Sequence, residues 1–191
     1  MATAGRAGRH NDTNTNNRQA ELANAYQELG KELGSDRLTV VGGYTLGRII
    51  GEGTYGSVHI ATHRLTGTRC AIKKIPKSNA AHLTREIHHH RRLHHPSIVH
   101  LHEVLATESH IWLVTELCSG GELFDYLVER GRMLEGEARR LFGELTVAVG
   151  WMHKEGVVHR DLKLENVLLD GELKIKLGDL GFAREWQRGR L

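Results

Sequence analysis

The chain of 191 residues is poor in cysteine and in proline, with two of each. Its cysteines, Cys70 and Cys118, lie in separate apolar segments. A disulfide framework or a cysteine-based zinc site needs more thiols at closer spacing, so the sequence predicts a reducing compartment. The 22 glycines indicate regular elements that are joined by glycine turns and not by proline-rich linkers.

Long apolar runs are also missing. No uncharged stretch approaches the roughly 20 residues of a membrane-spanning helix, and the N-terminus lacks the apolar segment of a secretory signal. The formal net charge is only +3 with neutral histidines, which gives no polybasic argument for a nucleic acid or a membrane surface as partner. We therefore expect a protein of the cytoplasm, with the nucleus as the alternative, that binds neither nucleic acid nor membranes.

Two changes of pattern divide the chain. Residues 1–17 are small and polar, which is typical of disorder, and residues 18–33 place leucines at helical spacing before Gly34. This second segment predicts an amphipathic helix packed on the next domain, with partner binding or a coiled coil as the alternative. From Val40 onward apolar and polar residues alternate and β-branched residues are frequent, and after Gly121 the pattern becomes helical.

The predicted elements follow from these patterns. Strands are predicted near 43–51, 55–63, 68–75, 101–107, 111–117, 166–169 and 173–177, the first three antiparallel, and helices near 82–93, 122–131 and 135–156. The predicted division is an N-terminal extension over 1–37, a β-rich half over 38–117 and a helical half over 118–191.

A glycine-rich segment, GEGTYGSV, runs from Gly51 to Val58 and matches G-x-G-x-x-G-x-V. A dinucleotide-binding turn shares the G-x-G-x-x-G spacing, but it opens a helix and belongs to a β-α-β unit. Here the glycines lie between two predicted strands, where the missing Cβ atoms let backbone N–H groups approach phosphates. An ordinary glycine hairpin is the alternative.

A lysine and a glutamate follow the glycine segment. Lys73 lies in CAIK on the third predicted strand, and Glu86 lies on the next predicted helix. A lysine held by a glutamate can bind phosphate oxygens as a fixed point charge. A solvated lysine at a strand edge is the alternative.

Two further motifs carry acids and amides. The segment VVHRDLKLENVLL places Asp161, Lys163 and Asn166 in one short loop between a predicted helix and a predicted strand. In KLGDLGFA, Asp179 lies in an Asp-Leu-Gly turn after the last predicted strand. Asn166 and Asp179 offer oxygen ligands of the kind that suits Mg²⁺.

These four motifs, in this order, resemble those of the eukaryotic protein kinases. HRDLKLEN, with Lys163, is similar to the serine/threonine branch, and LTREIHHHRRLHHPSIV with ELCSGGELFDYLVERG resembles the calmodulin-dependent and AMP-activated-kinase-like group, especially its fungal regulatory kinases. The resemblance covers about residues 43–191. It implies an α+β, bilobal fold with a complete antiparallel β-rich small lobe and a truncated helical large lobe.

The resemblance also implies an activity, the ATP-dependent and Mg²⁺-dependent phosphorylation of serine and threonine in proteins. The implied catalytic residues are Asp161 as base, Lys163 at the γ-phosphate, and Lys73 paired with Glu86; the implied metal ligands are Asn166 and Asp179. The implied nucleotide-binding residues are Gly51, Glu52, Gly53, Gly56, Val58, Ala71, Lys73, Thr115, Glu116, Cys118, Glu122 and Leu168.

Within this set the resemblance implies more specific roles. Thr115 would be the gatekeeper, and Glu116 and Cys118 would offer backbone groups to adenine. Glu122 is also the acid that in basophilic relatives meets an arginine three positions before the phosphorylated residue, and Glu165 would face a second basic position. Glu122 could instead only begin its helix, where an acid suits the dipole.

Three features depart from the family pattern. Only 12 residues separate Lys73 from Glu86, fewer than most of these kinases carry, so we expect the helix of Glu86 to lack its first turn. Leu180 stands where these kinases usually carry Phe, and we expect it to pack in the same site. His90 stands where an apolar residue is usual, and a buried imidazole needs a hydrogen-bond partner. His88, His89, His90, His94 and His95 crowd one helix. The spacing of His90 and His94 is compatible with metal binding, although surface histidines beside arginines are the simpler interpretation.

The chain ends 12 residues after Asp179, without an Ala-Pro-Glu motif. We therefore expect a truncated kinase domain that is nearly inactive on peptides and exposes apolar residues of the helix over 137–153, namely Leu141, Phe142, Leu145 and Val149. A nucleotide-binding or interaction module without catalytic activity is the alternative function.

Overall fold

The computed structural model describes residues 39–53 and 56–186. The predicted disorder over 1–17 and the predicted helix over 18–33 lie outside these residues. Within them, no helix is both long and apolar enough to cross a membrane.

The β-rich half forms a six-stranded sheet. Its strands in chain order are β1 (Val40–Val41), β2 (Tyr44–Gly53), β3 (Gly56–His63), β4 (Arg69–Pro76), β5 (Leu101–Ala106) and β6 (His110–Glu116). Their order across the sheet is β1-β2-β3-β4-β6-β5, and the pairs from β2 to β5 are antiparallel. The five strands predicted in this half are confirmed, each end to within two residues.

Alternation along the strands gives this sheet two apolar faces. Ile72 of β4 and Val114 of β6 are fully buried on one face. Leu113, the neighbour of Val114, points to the other face and packs with Leu83 of helix α1 (Ala80–Arg92). The apolar residues of the helix thus cover the face of the sheet that carries Leu113.

Helix α1 confirms the prediction of a helix near 82–93 and begins two residues earlier, at Ala80. Leu83 and His90 are buried and Ile87 is half-buried, so the predicted face is the one that packs. The Nε2 atom of His90 lies 2.6 Å from the carbonyl oxygen of Val99. One ring nitrogen therefore has the hydrogen-bond partner that burial requires, whereas the buried Nδ1 has none among the described residues.

The second half is mainly helical. It contains helices α2 (Leu123–Arg130) and α3 (Glu135–Lys154) and the short strands β7 (Gly121–Glu122), β8 (Val157–Val158), β9 (Val167–Leu169), β10 (Ile175–Leu177) and β11 (Arg184–Glu185). The strands form two small sheets, in the orders β10-β9-β7 and β11-β8. Both predicted helices and the strands β9 and β10 are confirmed, and β7, β8 and β11 are two-residue strands that the sequence did not indicate.

The core of this half lies between α3 and the strands β9 and β10. Its buried members include Leu141, Ala148 and Met152 of α3 with Leu169 and Leu177 of the strands. Their spacing along α3 is helical, so one stripe of the helix faces the core.

The expectation that Leu141 would be exposed on α3 is wrong, because Leu141 is only 3% exposed. Leu145 and Val149 are half-buried against the same core. Phe142 is 70% exposed, as expected, and so is Val147 at 60%. The neighbours Leu141 and Phe142 lie about 100° apart around the helix, and only one of them can face the core.

Candidate active site

The glycine segment lies at the adjoining ends of two antiparallel strands. Gly51 pairs with Val58, the exposed Glu52 pairs with Ser57, and Gly53 pairs with Gly56. This strand-to-strand connection differs from a dinucleotide-binding turn, which opens a helix.

Gly56 is required by close packing of the backbone. Its φ is 150°, and a Cβ atom built on it would lie 1.8 Å from the carbonyl oxygen of Lys74. The same atom built on Gly51 would meet only ordinary contacts, the nearest at 3.8 Å from the Cβ of Val58. The packing therefore requires glycine at position 56, whereas a side chain at position 51 would cause no clash.

The predicted pair of Lys73 and Glu86 is present. Lys73 extends from β4 and its Nζ lies 3.5 Å from Oε1 of Glu86 on α1. Both side chains are largely buried, at 24% and 12% exposed. Burial raises the pKa of the Glu86 carboxyl above its usual value, and the negative charge of Asp179 adds to this, while Lys73 opposes it.

The loop after β8 is held by a buried histidine. His159 is 2% exposed, and its Nδ1 accepts a hydrogen bond of 3.3 Å from the backbone N–H of Asp161. Its Nε2 therefore carries the proton and donates to the carbonyl oxygen of Gly178 at 2.8 Å. The next residue, Arg160, has a φ of 69° and donates from Nε to the carbonyl oxygen of Phe182 at 2.8 Å.

Asp161, Lys163 and Asn166 converge as predicted. The Nδ2 of Asn166 donates to the backbone oxygen of Asp161 at 2.8 Å and to its Oδ2 at 2.9 Å. The Nζ of Lys163 lies 3.1 Å from the same Oδ2. The contact with Lys163, together with the hydrogen bond from Asn166, lowers the pKa of the Asp161 carboxyl, and Asp161 in turn raises the pKa of Lys163. The carboxylate is therefore ionised and oriented.

The Asp-Leu-Gly turn lies beside both of these groups. Asp179 has a left-handed φ of 50°, and its carboxylate accepts a hydrogen bond of 3.2 Å from the backbone N–H of Gly181. A Cβ on Gly181 would lie 3.1 Å from Oδ1 of Asp179 and 3.7 Å from Oε2 of Glu86. Leu180 between them is 1% exposed and belongs to the core of the second half; that it fills the site of the usual Phe stays a prediction.

A backbone hydrogen bond joins the two loops. The N–H of Gly178 donates to the carbonyl oxygen of Asn166 at 2.9 Å, and the carbonyl of Gly178 accepts the proton of His159. The loop of Asp161 and the turn of Asp179 are therefore fixed to each other through Gly178.

The residues assigned to adenine lie along β3, β4, β6 and β9. Val58, Ala71, Thr115 and Leu168 are half-buried, and the hydroxyl of Thr115 lies 3.4 Å from the carbonyl oxygen of Ala71. Cys118 lies in the connection after β6, where burial raises the pKa of its thiol to about 12. The structure gives these residues the open, half-buried surface that a flat ring needs, and their role in binding adenine stays a prediction.

Glu116 lies at the end of β6, and sequence reasoning missed what holds it. Its Oε2 lies 2.8 Å from the Nζ of Lys176 in β10, and its Oε1 accepts a hydrogen bond of 2.7 Å from the backbone N–H of His100. The ion pair is largely buried, with Lys176 only 14% exposed. Nothing in the local pattern distinguishes Lys176 from the exposed Lys174 two residues earlier, so only the fold reveals the contact.

Glu122 is the last residue of β7 and occupies the N-cap position of α2. Its side chain makes no capping hydrogen bond. Its pKa is raised, first by burial and then by the negative charges of Asp125 and Glu165. Three acids therefore lie near one another at this position.

The two histidines suggested as a metal pair do not act together. His90 is buried against Val99, whereas the ring of His94 lies against His100 with centroids 5.4 Å apart. Among the described residues, neither histidine belongs to a group of three or more metal-binding side chains.

The residues present fit a nucleotide and a divalent metal. Gly56 lies too close to the backbone of β4 for any side chain. Lys73 offers a fixed positive charge, and Asp179 and Asn166 offer the oxygen donors that hard divalent cations prefer. The carboxylate of Asp179 is exposed and Asn166 is buried, so the donors stand at the boundary between the core and the cleft.

The chain was compared with known proteins. A family model described as protein kinase domain matches residues 44–191. The serine/threonine-protein kinase ppk16 of Schizosaccharomyces pombe is 42% identical over 169 residues, which are 88% of this chain and 25% of that protein.

Two other relatives agree with this result. The serine/threonine-protein kinase SIK3 homolog of Danio rerio is 45% identical over 81% of this chain and 13% of its own length. The putative serine/threonine-protein kinase YPL150W of Saccharomyces cerevisiae is 41% identical over 89% of this chain and 19% of its own length. The chain thus spans a quarter or less of the length of these relatives.

Proposed function

The chain belongs to the protein kinase family, whose members use ATP and a divalent metal, and we propose that it transfers the γ-phosphate of ATP to serine and threonine hydroxyls of proteins. The observation that carries the proposal is the convergence of Glu86, Asp161 and Asp179, which three separate segments bring to one cleft. In this proposal the cleft divides a small lobe over 38–117 from the part of the large lobe over 118–191.

The charges in the cleft suit phosphoryl transfer. This reaction needs little covalent chemistry from the protein, because positioning and charge neutralisation supply most of the catalysis. Lys73, held by Glu86, would bind the phosphates, with the glycine hairpin above them. Asn166 and Asp179 would hold Mg²⁺, which neutralises the phosphate charge when it is bound.

Asp161 would act on the hydroxyl of the substrate. Its lowered pKa keeps it ionised, and the hydrogen bond from Asn166 to its Oδ2 fixes the direction of its carboxylate. Lys163 beside it would steady the γ-phosphate, which is the arrangement expected of a serine/threonine enzyme.

A transfer assay tests the proposal. We would compare the 191-residue chain with a chimera that carries, after Leu191, the residues that follow the matched region in the Schizosaccharomyces pombe relative. We expect radiolabel from the γ-phosphate of ATP on serine and threonine of a mixed peptide substrate, slowly with the chain and faster with the chimera.

The decisive variant is Asp161→Asn in the chimera. We expect a loss of about 10²–10⁴-fold in rate, the usual contribution of a positioned general base. Glu129→Gln, an exposed change on α2, is the matched control and should leave the rate unchanged. A rate that is indifferent to Asp161→Asn would contradict the assigned role. Tight ATP binding without any transfer would instead favour a nucleotide-binding module.

We also propose that the substrate carries arginine three positions before the phosphorylated residue. Glu122, Asp125 and Glu165 gather negative charge, and the pKa of Glu122 is raised first by burial and then by repulsion from the other two acids. Because the carboxylate of Glu122 makes no capping hydrogen bond to α2, it is available to a guanidinium. Such a charge-assisted contact contributes roughly 1.5–3 kcal/mol.

A peptide array on the chimera tests this preference. We expect arginine at that position to raise the transfer rate, and Glu122→Gln to reduce the preference while Glu129→Gln retains it. Indifference of the unmutated chimera to arginine would contradict the proposal. A preference that survives Glu122→Gln would show that Glu122 is not its source.

A further inference from the structure

A group of metal-binding side chains lies outside the cleft, between α1 and β11. One nitrogen of His88, one nitrogen of His89 and one carboxylate oxygen of Glu185 all lie within 4.8 Å of one another. His88 and Glu185 are exposed, and His89 is buried beneath them. Neither the phosphates nor the metal of the proposed reaction involve these residues.

One of the three ligand spacings is close to that of a tetrahedral ion, and the other two lie within 4.8 Å. The Nε2 of His88 and the Oε1 of Glu185 are 3.5 Å apart. Two ligands with bonds of about 2.0–2.1 Å to Zn²⁺ stand roughly 3.3 Å apart in a tetrahedral site, and about 2.9 Å apart in an octahedral one. The observed spacing is closer to the tetrahedral value, and two imidazoles with one carboxylate are donors that Zn²⁺ accepts.

One positive charge competes for the carboxylate. The Nη1 of Arg92 lies 2.8 Å from the same oxygen of Glu185. This surface ion pair is 45% and 52% exposed, and exposed pairs of this kind are weak. A divalent ion can therefore displace the guanidinium, or leave it on the second carboxylate oxygen.

We propose that His88, His89 and Glu185 form a Zn²⁺ site with water as the fourth ligand. The ion would join α1, which carries Glu86, to β11, which follows the Asp-Leu-Gly turn of Asp179. It would thus fix both elements that bring acids to the cleft. This proposal is independent of catalysis and can stand or fail without it.

The test uses the 191-residue chain without nucleotide. Zn²⁺ is titrated against a chromophoric chelator, in excess Mg²⁺ so that sites preferring oxygen ligands are filled. Co²⁺ is titrated in parallel, because tetrahedral Co²⁺ absorbs strongly in the visible range. We expect one tight Zn²⁺ site per chain, the intense spectrum of tetrahedral Co²⁺, and a higher melting temperature with Zn²⁺.

Variants identify the ligands. His88→Gln and Glu185→Gln are exposed changes, and each should weaken Zn²⁺ binding by at least about tenfold, the loss that even an outer-shell change can produce. His153→Gln and Glu172→Gln, exposed changes elsewhere, are the matched controls and should bind Zn²⁺ as the unmutated chain does.

Arg92→Gln separates a metal ligand from a fold contact. We expect it to bind Zn²⁺ at least as tightly, since it removes a competing charge. The proposal is overturned if Glu185→Gln and His88→Gln bind Zn²⁺ with the affinity of the unmutated chain. It is also overturned if Arg92→Gln weakens binding as much as Glu185→Gln does.

Discussion

Gly51 and Gly56 lie in the same hairpin, yet a methyl group has different consequences at each. At Gly56 it would meet the carbonyl oxygen of Lys74 at 1.8 Å, while at Gly51 its contacts are ordinary. The motif G-x-G-x-x-G treats the two positions alike, and only the paired strands distinguish a glycine that the packing requires from one that it does not.

We predict that Gly56→Ala lowers the free energy of unfolding by about 1–3 kcal/mol or more, as overpacking usually does. Gly51→Ala should keep the stability of the unmutated chain and weaken ATP binding. Thermal melts and nucleotide titrations of both variants provide the check. Equal melting temperatures for the two variants would contradict the packing argument.

Glu86 gives a prediction about pH. Burial raises its pKa in spite of Lys73, so the folded chain holds this proton more tightly than the unfolded chain does. The free energy of unfolding therefore falls as pH rises from the ordinary value of 4.5 through the raised pKa. Because glutamine does not titrate, Glu86→Gln should remove this fall in the free energy of unfolding.

At pH values above the raised pKa of Glu86, we predict that Glu86→Gln melts at the same temperature as the unmutated chain or at a higher one. We expect this although the variant loses the ion pair with Lys73. Melting temperatures of the two proteins across the acidic to neutral range measure the difference, with the exposed Glu129→Gln as control. A constant destabilisation of Glu86→Gln at every pH would show that the ion pair stabilises the fold.

At the scale of elements, the longer strands and helices follow from the sequence, whereas the two-residue strands do not. Within residues 39–53 and 56–186, alternation and helical spacing predicted the five long strands from β2 to β6 and the helices α1 to α3. The strands β7, β8 and β11 have two residues each, which is too short for a period to be visible. They form because neighbouring segments meet in the fold.

The ion pair between β6 and β10 shows the same limit. Lys174 and Lys176 alternate along one segment, but Lys174 pairs with Glu172 at the surface while Lys176 pairs with Glu116 in a largely buried position. The partner of Lys176 is distant in sequence, so no local pattern could predict it.

We predict that Lys176→Met lowers the free energy of unfolding by about 1–3 kcal/mol, because it leaves the carboxylate of Glu116 without its cation. Lys174→Met is the matched control and should cost less than about 1 kcal/mol, since its pair is exposed. Urea denaturation of the two variants measures both values. Equal losses would show that the buried pair does not join β6 to β10.

At the scale of the whole molecule, the order of four motifs was enough to predict the bilobal α+β fold. The contacts of Lys73 with Glu86, and of Asp161 with Lys163 and Asn166, agree with the roles that the family resemblance implied. Exposure of individual residues was less predictable.

The helix α3 illustrates why. Its periodicity shows that one stripe faces a core, but several apolar residues compete for that stripe. Leu141 lies in it and Phe142 does not. Which apolar residue of α3 is buried depends on the strands that the helix packs against, β9 and β10. The positions of these strands cannot be predicted from the sequence of α3 alone.

The most direct test of the account is a calorimetric titration of the 191-residue chain with ATP, with and without Mg²⁺. We predict one site per chain whose affinity requires Mg²⁺ and falls by about tenfold or more in Lys73→Ala and Asp179→Asn, because a hydrogen bond to a charged group contributes about 1.5–3 kcal/mol. Lys74→Ala, which changes the neighbouring lysine beside the ring of Trp112, should bind as the unmutated chain does. Equal affinities for the unmutated chain and a folded Lys73→Ala would contradict the account.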